Sequence, residues 1–127
     1  MTIRIDSAEL RERIRTAASA ALWAYMSSAA PDLPAIDWSF DESASCGAQA
    51  RGYVTDLDHA DPAAVAEQWR AALGIDAEFG DQGDGTFECL GTCGDYGVYL
   101  WYMADRARWE QGMSDRRARL AGTDGAA

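Results

Sequence analysis

Two short stretches alternate strictly between apolar and polar. In Ile36-Asp-Trp-Ser-Phe40, the side chains of Ile36, Trp38 and Phe40 fall on one side, and Asp37, Ser39 and the following Asp41 fall on the other. In Ile75-Asp-Ala-Glu-Phe79, Ile75, Ala77 and Phe79 alternate with Asp76 and Glu78. A period of two predicts half-buried strands with acidic outer faces. Residues 97–103 break that pattern. Val98, Leu100 and Tyr102 lie on one side and Tyr99, Trp101 and Met103 on the other, so both faces are bulky and apolar. A strand of this kind is covered on both sides. It is predicted to be the centre of the sheet, in a hairpin with a strand over 86–90 whose outer face carries Glu88. A further strand is predicted over 49–56.

The helical period appears three times. Over 6–27, Leu10, Ile14, Ala17, Ala18, Ala21, Leu22, Tyr25 and Met26 share a face. Asp6 with Glu9 fits an acidic capping box, and Ile5 with Leu10 fits a hydrophobic staple. Glu9 and Arg13 can pair one turn apart, and Pro31 and Pro34 end the helix. Over 62–73, Asp61 serves as N-cap, Pro62 takes the first helical position, and Val65, Trp69, Ala72 and Leu73 form the stripe before Gly74. A last helix is predicted from about residue 104, with Trp109 and Met113 facing inward over the sheet. Gly80-Asp-Gln-Gly-Asp-Gly85 reads as a turn closing at Asp84-Gly85.

Strands joined by short connections imply an antiparallel meander. The expected fold is therefore α+β: an antiparallel sheet of four to five strands, with an N-terminal, a middle and a C-terminal helix packed on it. A chain of 127 residues makes one domain of this size, expected over 1–121, with a small, polar tail at 122–127 that frays. Hydrophobic residues make up 48% of the chain, enough for a real core.

Charge changes the picture. The chain carries 21 acids and 11 Arg, with no Lys, for a net charge of −10. Residues 1–30 and 101–127 each come to +1, whereas residues 31–100 hold fourteen acids against Arg51 and Arg70, a net of −12. A field of one sign repels phosphate and attracts basic partners, so direct nucleic-acid binding is not expected. Asp37, Asp41, Asp76, Glu78 and Glu88 are the acids assigned to outward strand positions, and Asp56, Asp58, Asp61, Asp81, Asp84 and Asp95 fall in connections. Spaced carboxylates of this sort suit the surface of a nucleic-acid mimic, an inhibitor or an immunity-type protein, and equally suit a face that only keeps the chain soluble.

Three cysteines make an odd count, which argues against a disulfide framework and for a reducing, cytoplasmic setting. The uncharged run over 16–30 follows Asp6, Glu9 and Glu12 and is mostly Ala, which argues against an export signal. No stretch is long and apolar enough to span a bilayer. Cys89 and Cys93, with Cys46 and His59, would suit a structural zinc ion, although the spacing lacks the usual two close pairs. Plain thiols are the simpler reading. A Cys–His nucleophile pair, a phosphate loop at Gly91-Thr-Cys-Gly94-Asp-Tyr-Gly97 and a calcium loop around Asp81, Asp84 and Glu88 all miss the required context or spacing.

The run Ala63-Ala-Val-Ala-Glu-Gln-Trp-Arg-Ala-Ala-Leu-Gly-Ile75, with Asp84-Gly-Thr-Phe87 and Gly97-Val-Tyr-Leu-Trp101, resembles small uncharacterised α+β proteins of actinobacteria and their phages. The likeness covers the second half of the chain. It implies a helix followed by an antiparallel strand pair, and a phage-borne or mobile-element accessory role, but no activity. The Cys-x-x-x-Cys spacing is not part of that pattern.

The expected function is a non-enzymatic acidic binding protein that occupies a basic protein partner, with no cofactor. The candidate binding residues are Asp37, Asp41, Asp76, Glu78 and Glu88, together with Tyr99, Trp101 and Met103 if the last helix leaves these three uncovered; self-association would also cover them. The competing expectations are a zinc- or thiol-dependent protein using Cys46, His59, Cys89 and Cys93, and an enzyme whose cleft the spacing does not reveal.

Overall fold

The computed structural model describes residues 2–41, 48–55 and 59–125. Helix α1, Ser7–Ala29, begins where the Asp6 carboxylate accepts hydrogen bonds from the amides of Ala8 and Glu9 at 3.0 and 3.1 Å. Helix α2, Pro62–Ala72, begins in the same way, with Asp61 accepting from the Ala64 amide at 3.1 Å and Pro62 opening the first turn. Gly74, at φ +69°, follows its C-cap Leu73. Helix α3, Arg106–Gly125, has the Asp105 carboxylate accepting from the Arg108 amide. Three short acidic side chains thus satisfy helix starts that would otherwise leave donors unpaired.

The described strands are β1, Asp37–Phe40; β2, Ala50–Val54; β3, Gly80–Asp81; β4, Thr86–Cys93; and β5, Tyr96–Met103. They form one sheet in the order β1-β2-β5-β4-β3, and the fold is α+β with the helices at the start, middle and end of the chain. β5 is the central strand. The sheet is mixed, not wholly antiparallel: β2 and β5 run parallel, with Gly52 opposite Leu100, while the other neighbours pair antiparallel. A parallel pair needs a long crossover, and here α2 and the β3–β4 hairpin lie between its two strands.

One face of the sheet carries the core. Ile36, Trp38, Ala50, Val54, Cys89, Val98 and Leu100 pack there against Val65, Ala66 and Trp69 of α2 and Met26 of α1. Trp38 and Trp69 meet edge to face at 5.4 Å, and the Trp69 indole N–H donates to the Pro34 carbonyl at 2.8 Å. α1 lies along the edge strand β1, where the Ser19 hydroxyl accepts from the Phe40 amide at 2.8 Å and so engages a donor on an open sheet edge.

Three expectations change. Residues 75–79 are not a strand; pairing with β4 begins only at Gly80–Asp81. Ile75 is buried, and a side chain at Gly91 in β4 would lie 2.6 Å from it. The segment therefore passes over the sheet and does not extend its edge. The β4–β5 hairpin is longer than the glycines suggest, since the strands run to Cys93 and from Tyr96, and only Gly94 and Asp95 turn. Gly94 has φ +63°, which suits the first turn position of a type II′ hairpin. Finally, the apolar face predicted for α1 is only partly used. Met26 is buried and Ala18 and Leu22 are half-buried, while Ile5, Leu10, Ile14, Ala17, Ala21 and Tyr25 are exposed.

α3 behaves similarly. Trp109 and Met113 are half-buried, as expected of inward positions, but every residue from Ser114 to Gly122 is exposed. The helix runs on to Gly125, past the point where fraying is expected. Its start is held by the β3–β4 turn, where the Gly85 carbonyl accepts from the amides of Ala104 and Asp105 at 2.9 and 3.1 Å.

Gly85 has φ +88°, and an added Cβ would sit 2.4 Å from the Asp105 carbonyl oxygen; Gly83 has φ +82° but open space around it. Gly83→Ala is therefore expected to cost only backbone strain, about 1 kcal/mol. Gly85→Ala is expected to cost about 3 kcal/mol or more, because strain and overpacking add. Urea denaturation of the two variants checks the difference; equal costs would refute the role given to the Gly85–Asp105 contact.

Candidate functional site

The acids proposed for binding do not share one face. Asp37 is exposed on edge strand β1, facing away from the core. Asp41, just past β1, lines a depression with Arg11 and Arg15 of α1. Glu88 is half-buried on the second face of the sheet, where its carboxylate accepts from the Tyr99 hydroxyl at 2.5 Å. Among the loop acids, Asp61 caps α2, Asp81 accepts from the Gly83 amide, and Asp84 accepts from both the amide and the hydroxyl of Thr86. These last three hold local structure. Asp56 and Asp58 lie outside the described residues.

Asp76 and Glu78 do come together. The segment over Ile75 carries both into a depression of about 440 Å³, where they are joined by Glu67 and Arg70 of α2, Phe79, and Tyr102 of β5. Arg70, the cation of this set, is occupied by the Glu67 carboxylate and by the Ile75 carbonyl, at the end of its own helix. Glu67 is held below the usual carboxylate range by its hydrogen bond to Arg70. The Tyr102 phenol is pushed up, first by burial and then by the charges of Asp81 and Glu67. Phe79 and Phe87 flank the same ring, edge to face and stacked, each at 5.0 Å. The result is a fixed aromatic wall under negative potential. Glu67 and Tyr102 were not among the residues expected from sequence. The Glu67–Arg70 spacing of three marks an ion pair, but nothing in it places the pair beside Asp76 and Glu78.

The second face of the sheet answers what covers the aromatic run of β5. Tyr99 and Met103 are buried at 8% and 5% exposure, and Trp101 is half-buried. Neighbours on the same face supply part of the cover: Tyr53 lies 5.7 Å from Trp101 and 6.0 Å from Tyr99, and the Arg51 guanidinium sits 4.7 Å over the Tyr99 ring. Tyr99 and Met103 are thus packed residues and not part of an exposed patch. Burial, followed by the hydrogen bond to Glu88, pushes the Tyr99 phenol well above its usual range.

The thiols are separated. Cys89 and Cys93 both lie in β4, four residues apart on the core face. Extended chain puts that spacing near 13 Å, too far for two sulfurs to reach one zinc ion at about 2.3 Å each. Cys89 is buried opposite Leu100, and burial raises its pKa. Cys93 is exposed near the hairpin tip. The His59 ring contacts the Ala35 carbonyl at 2.8 Å, and Cys46 lies outside the described residues. Among the described residues, no group of three or more His, Cys, Asp or Glu side chains is placed to hold a metal ion, and no helix is long and apolar enough to cross a membrane.

A further concavity, of about 410 Å³, runs between α1 and the hairpin tip. Ala21, Leu22 and Tyr25 form one wall, Cys93 and Tyr96 the other, and Val98 lies in its floor. It is mainly apolar. Comparisons of the chain with protein-family models, with curated proteins and with solved structures give no match.

The raised Tyr99 pKa has a consequence for stability. The folded state holds the phenolic proton more tightly than the unfolded chain, so this contribution is fully present below about pH 10 and is lost as pH rises above it. Urea denaturation between pH 8 and 11 should show falling stability, with a shallower fall in Tyr99→Phe. That variant is also expected to lose about 1 kcal/mol at pH 8, from the bond to Glu88. Identical pH slopes for the two proteins would refute the assignment.

Proposed function

We propose that the protein is a non-enzymatic binding protein that occupies a basic protein partner, and that a Lys or Arg side chain of this partner enters the depression at Asp76 and Glu78. The observation that carries this reading is the pairing of those two carboxylates with the Tyr102 ring, beside an Arg70 already engaged by Glu67. An incoming guanidinium or ammonium group would meet carboxylate oxygens and an aromatic ring in one place. Charge-assisted hydrogen bonds to the carboxylates favour that arrangement. The net charge of −10, concentrated over residues 31–100, adds a long-range field that speeds encounter with a basic surface. Inhibitors, nucleic-acid mimics and immunity-type proteins all work in this way, and a phage-borne accessory role fits the same reading.

An Arg-rich peptide serves as probe, with binding followed by fluorescence anisotropy over a salt series. Affinity is expected to fall with salt. The Asp76→Asn/Glu78→Gln protein is expected to bind about five- to tenfold more weakly, at up to 1 kcal/mol per exposed pair. An Asp32→Asn/Asp95→Asn control removes the same charge from exposed sites elsewhere and is expected to change affinity less than twofold. Equal losses in the two double variants would mean that only net charge is sensed, and would overturn the site.

A further inference from the structure

The face that α1 leaves uncovered is patterned. Leu10, Ile14, Ala17, Ala21 and Tyr25 recur at spacings of four and three, so they form one continuous stripe. All five are exposed, with Leu10 at 44%, Ile14 at 53% and Tyr25 at 69%. The stripe runs into the apolar groove, because Ala21 and Tyr25 belong to both. A solvated helix face seldom carries such a run, and an unpartnered one marks an interface.

We propose that a second copy of this chain covers the stripe, through antiparallel pairing of α1 with its own counterpart. Three observations choose this occupant. First, the helix is self-complementary about its middle. Opposed antiparallel around Ala17 and Ala18, Leu10 meets Tyr25 of the other copy and Ile14 meets Ala21, so large residues face large or small ones without a gap, and alanines sit where the helices come closest. Second, charge sets the direction. Glu9, Arg11, Glu12, Arg13 and Arg15 all lie in the first half of α1, and residues 16–30 carry none. Antiparallel pairing lays each charged half on an uncharged half, whereas parallel pairing would set Arg against Arg. Third, most of a −10 chain repels its copy, but residues 1–30 come to +1, so two copies can approach here with little opposing field. The exposed Ile3 and Ile5 precede the helix and lie at the end that reaches the other copy's groove in this arrangement. A two-fold contact of this kind closes on itself and stops at a dimer.

A single helix pair is a small interface, of the class below about 1,200 Å² that associates weakly. Sedimentation equilibrium of the full chain is therefore run from about 5 to 500 μM. The wild-type chain is expected to pass from monomer to dimer in that range, and Ile14→Glu and Ala21→Glu are each expected to weaken association at least tenfold. Both positions are exposed, and unchanged circular dichroism and urea midpoint confirm that the variants fold. A wild-type chain that stays monomeric throughout overturns the proposal, as does association unaffected by either variant. Direction is read by oxidation of Leu10→Cys and Tyr25→Cys proteins in a Cys93→Ser background. Covalent dimer formed mainly on mixing the two supports the antiparallel pair. Covalent dimer formed mainly by each alone overturns it.

Discussion

The central strand β5 carries large side chains on both faces, and its neighbours must make room for them. On the core face this is done by glycine. Gly52 in β2 lies opposite Leu100, and a Cβ there would fall within about 3 Å of Leu100, Ile36 and Trp38. Gly91 in β4 lies opposite Val98, and a Cβ there would run into Ile75. Each glycine therefore lets a large side chain from outside its own strand lie against the sheet: Trp38 from β1 on one side, and Ile75 from the α2–β3 link on the other. Leu100, Val98 and Val54 are almost fully buried as a result. Interiors are packed closely enough that a single methyl at either glycine would have to displace a neighbour.

That constraint also explains what the sequence showed and what it hid. The caps were legible, because Asp6 and Asp61 act within three residues of where they stand. The alternation over Trp38 and Phe40 was legible for the same reason, and so was the two-sided character of β5. Residues 75–79 misled because alternation reports which side chains are inward, not what they lie against. Ile75 does point inward, but onto Gly91, and the clue sits sixteen residues away, just past the end of the strand expected over 86–90. The parallel β2–β5 pair was hidden similarly. Its partners are separated by a helix and a hairpin, and no local pattern records which strand lies beside which. The site depended on these long-range facts: Asp76 and Glu78 meet Glu67 and Tyr102 only because the link crosses the sheet.

Acid content alone overstated the binding surface. Asp6, Asp61 and Asp105 start helices, Asp81 and Asp84 shape the β3–β4 turn, and Glu88 receives the Tyr99 hydroxyl. Each supplies acceptor oxygens where the backbone or a phenol has a donor to satisfy, which is a structural use of negative charge. Asp76 and Glu78 are different: they stand beside a held aromatic ring. The distinction lies in what a carboxylate faces, and composition cannot express it.

The two surfaces proposed for partners are governed by different forces, and that makes them compatible. As proposed, the depression at Asp76 and Glu78 would work through charge, over a distance set by ionic screening, about 8 Å at physiological salt. The α1 stripe would work through apolar burial, which needs contact and is hindered by like charge at long range. A chain of −10 can use both only if the apolar surface sits where the local charge is smallest, and residues 1–30 and 31–100 divide the charge in that way. Pairing through α1 would bring two acidic middles into one particle, doubling the charge that a basic partner meets. In the proposed arrangement, the same uneven charge would steer a basic partner and confine self-association to one helix.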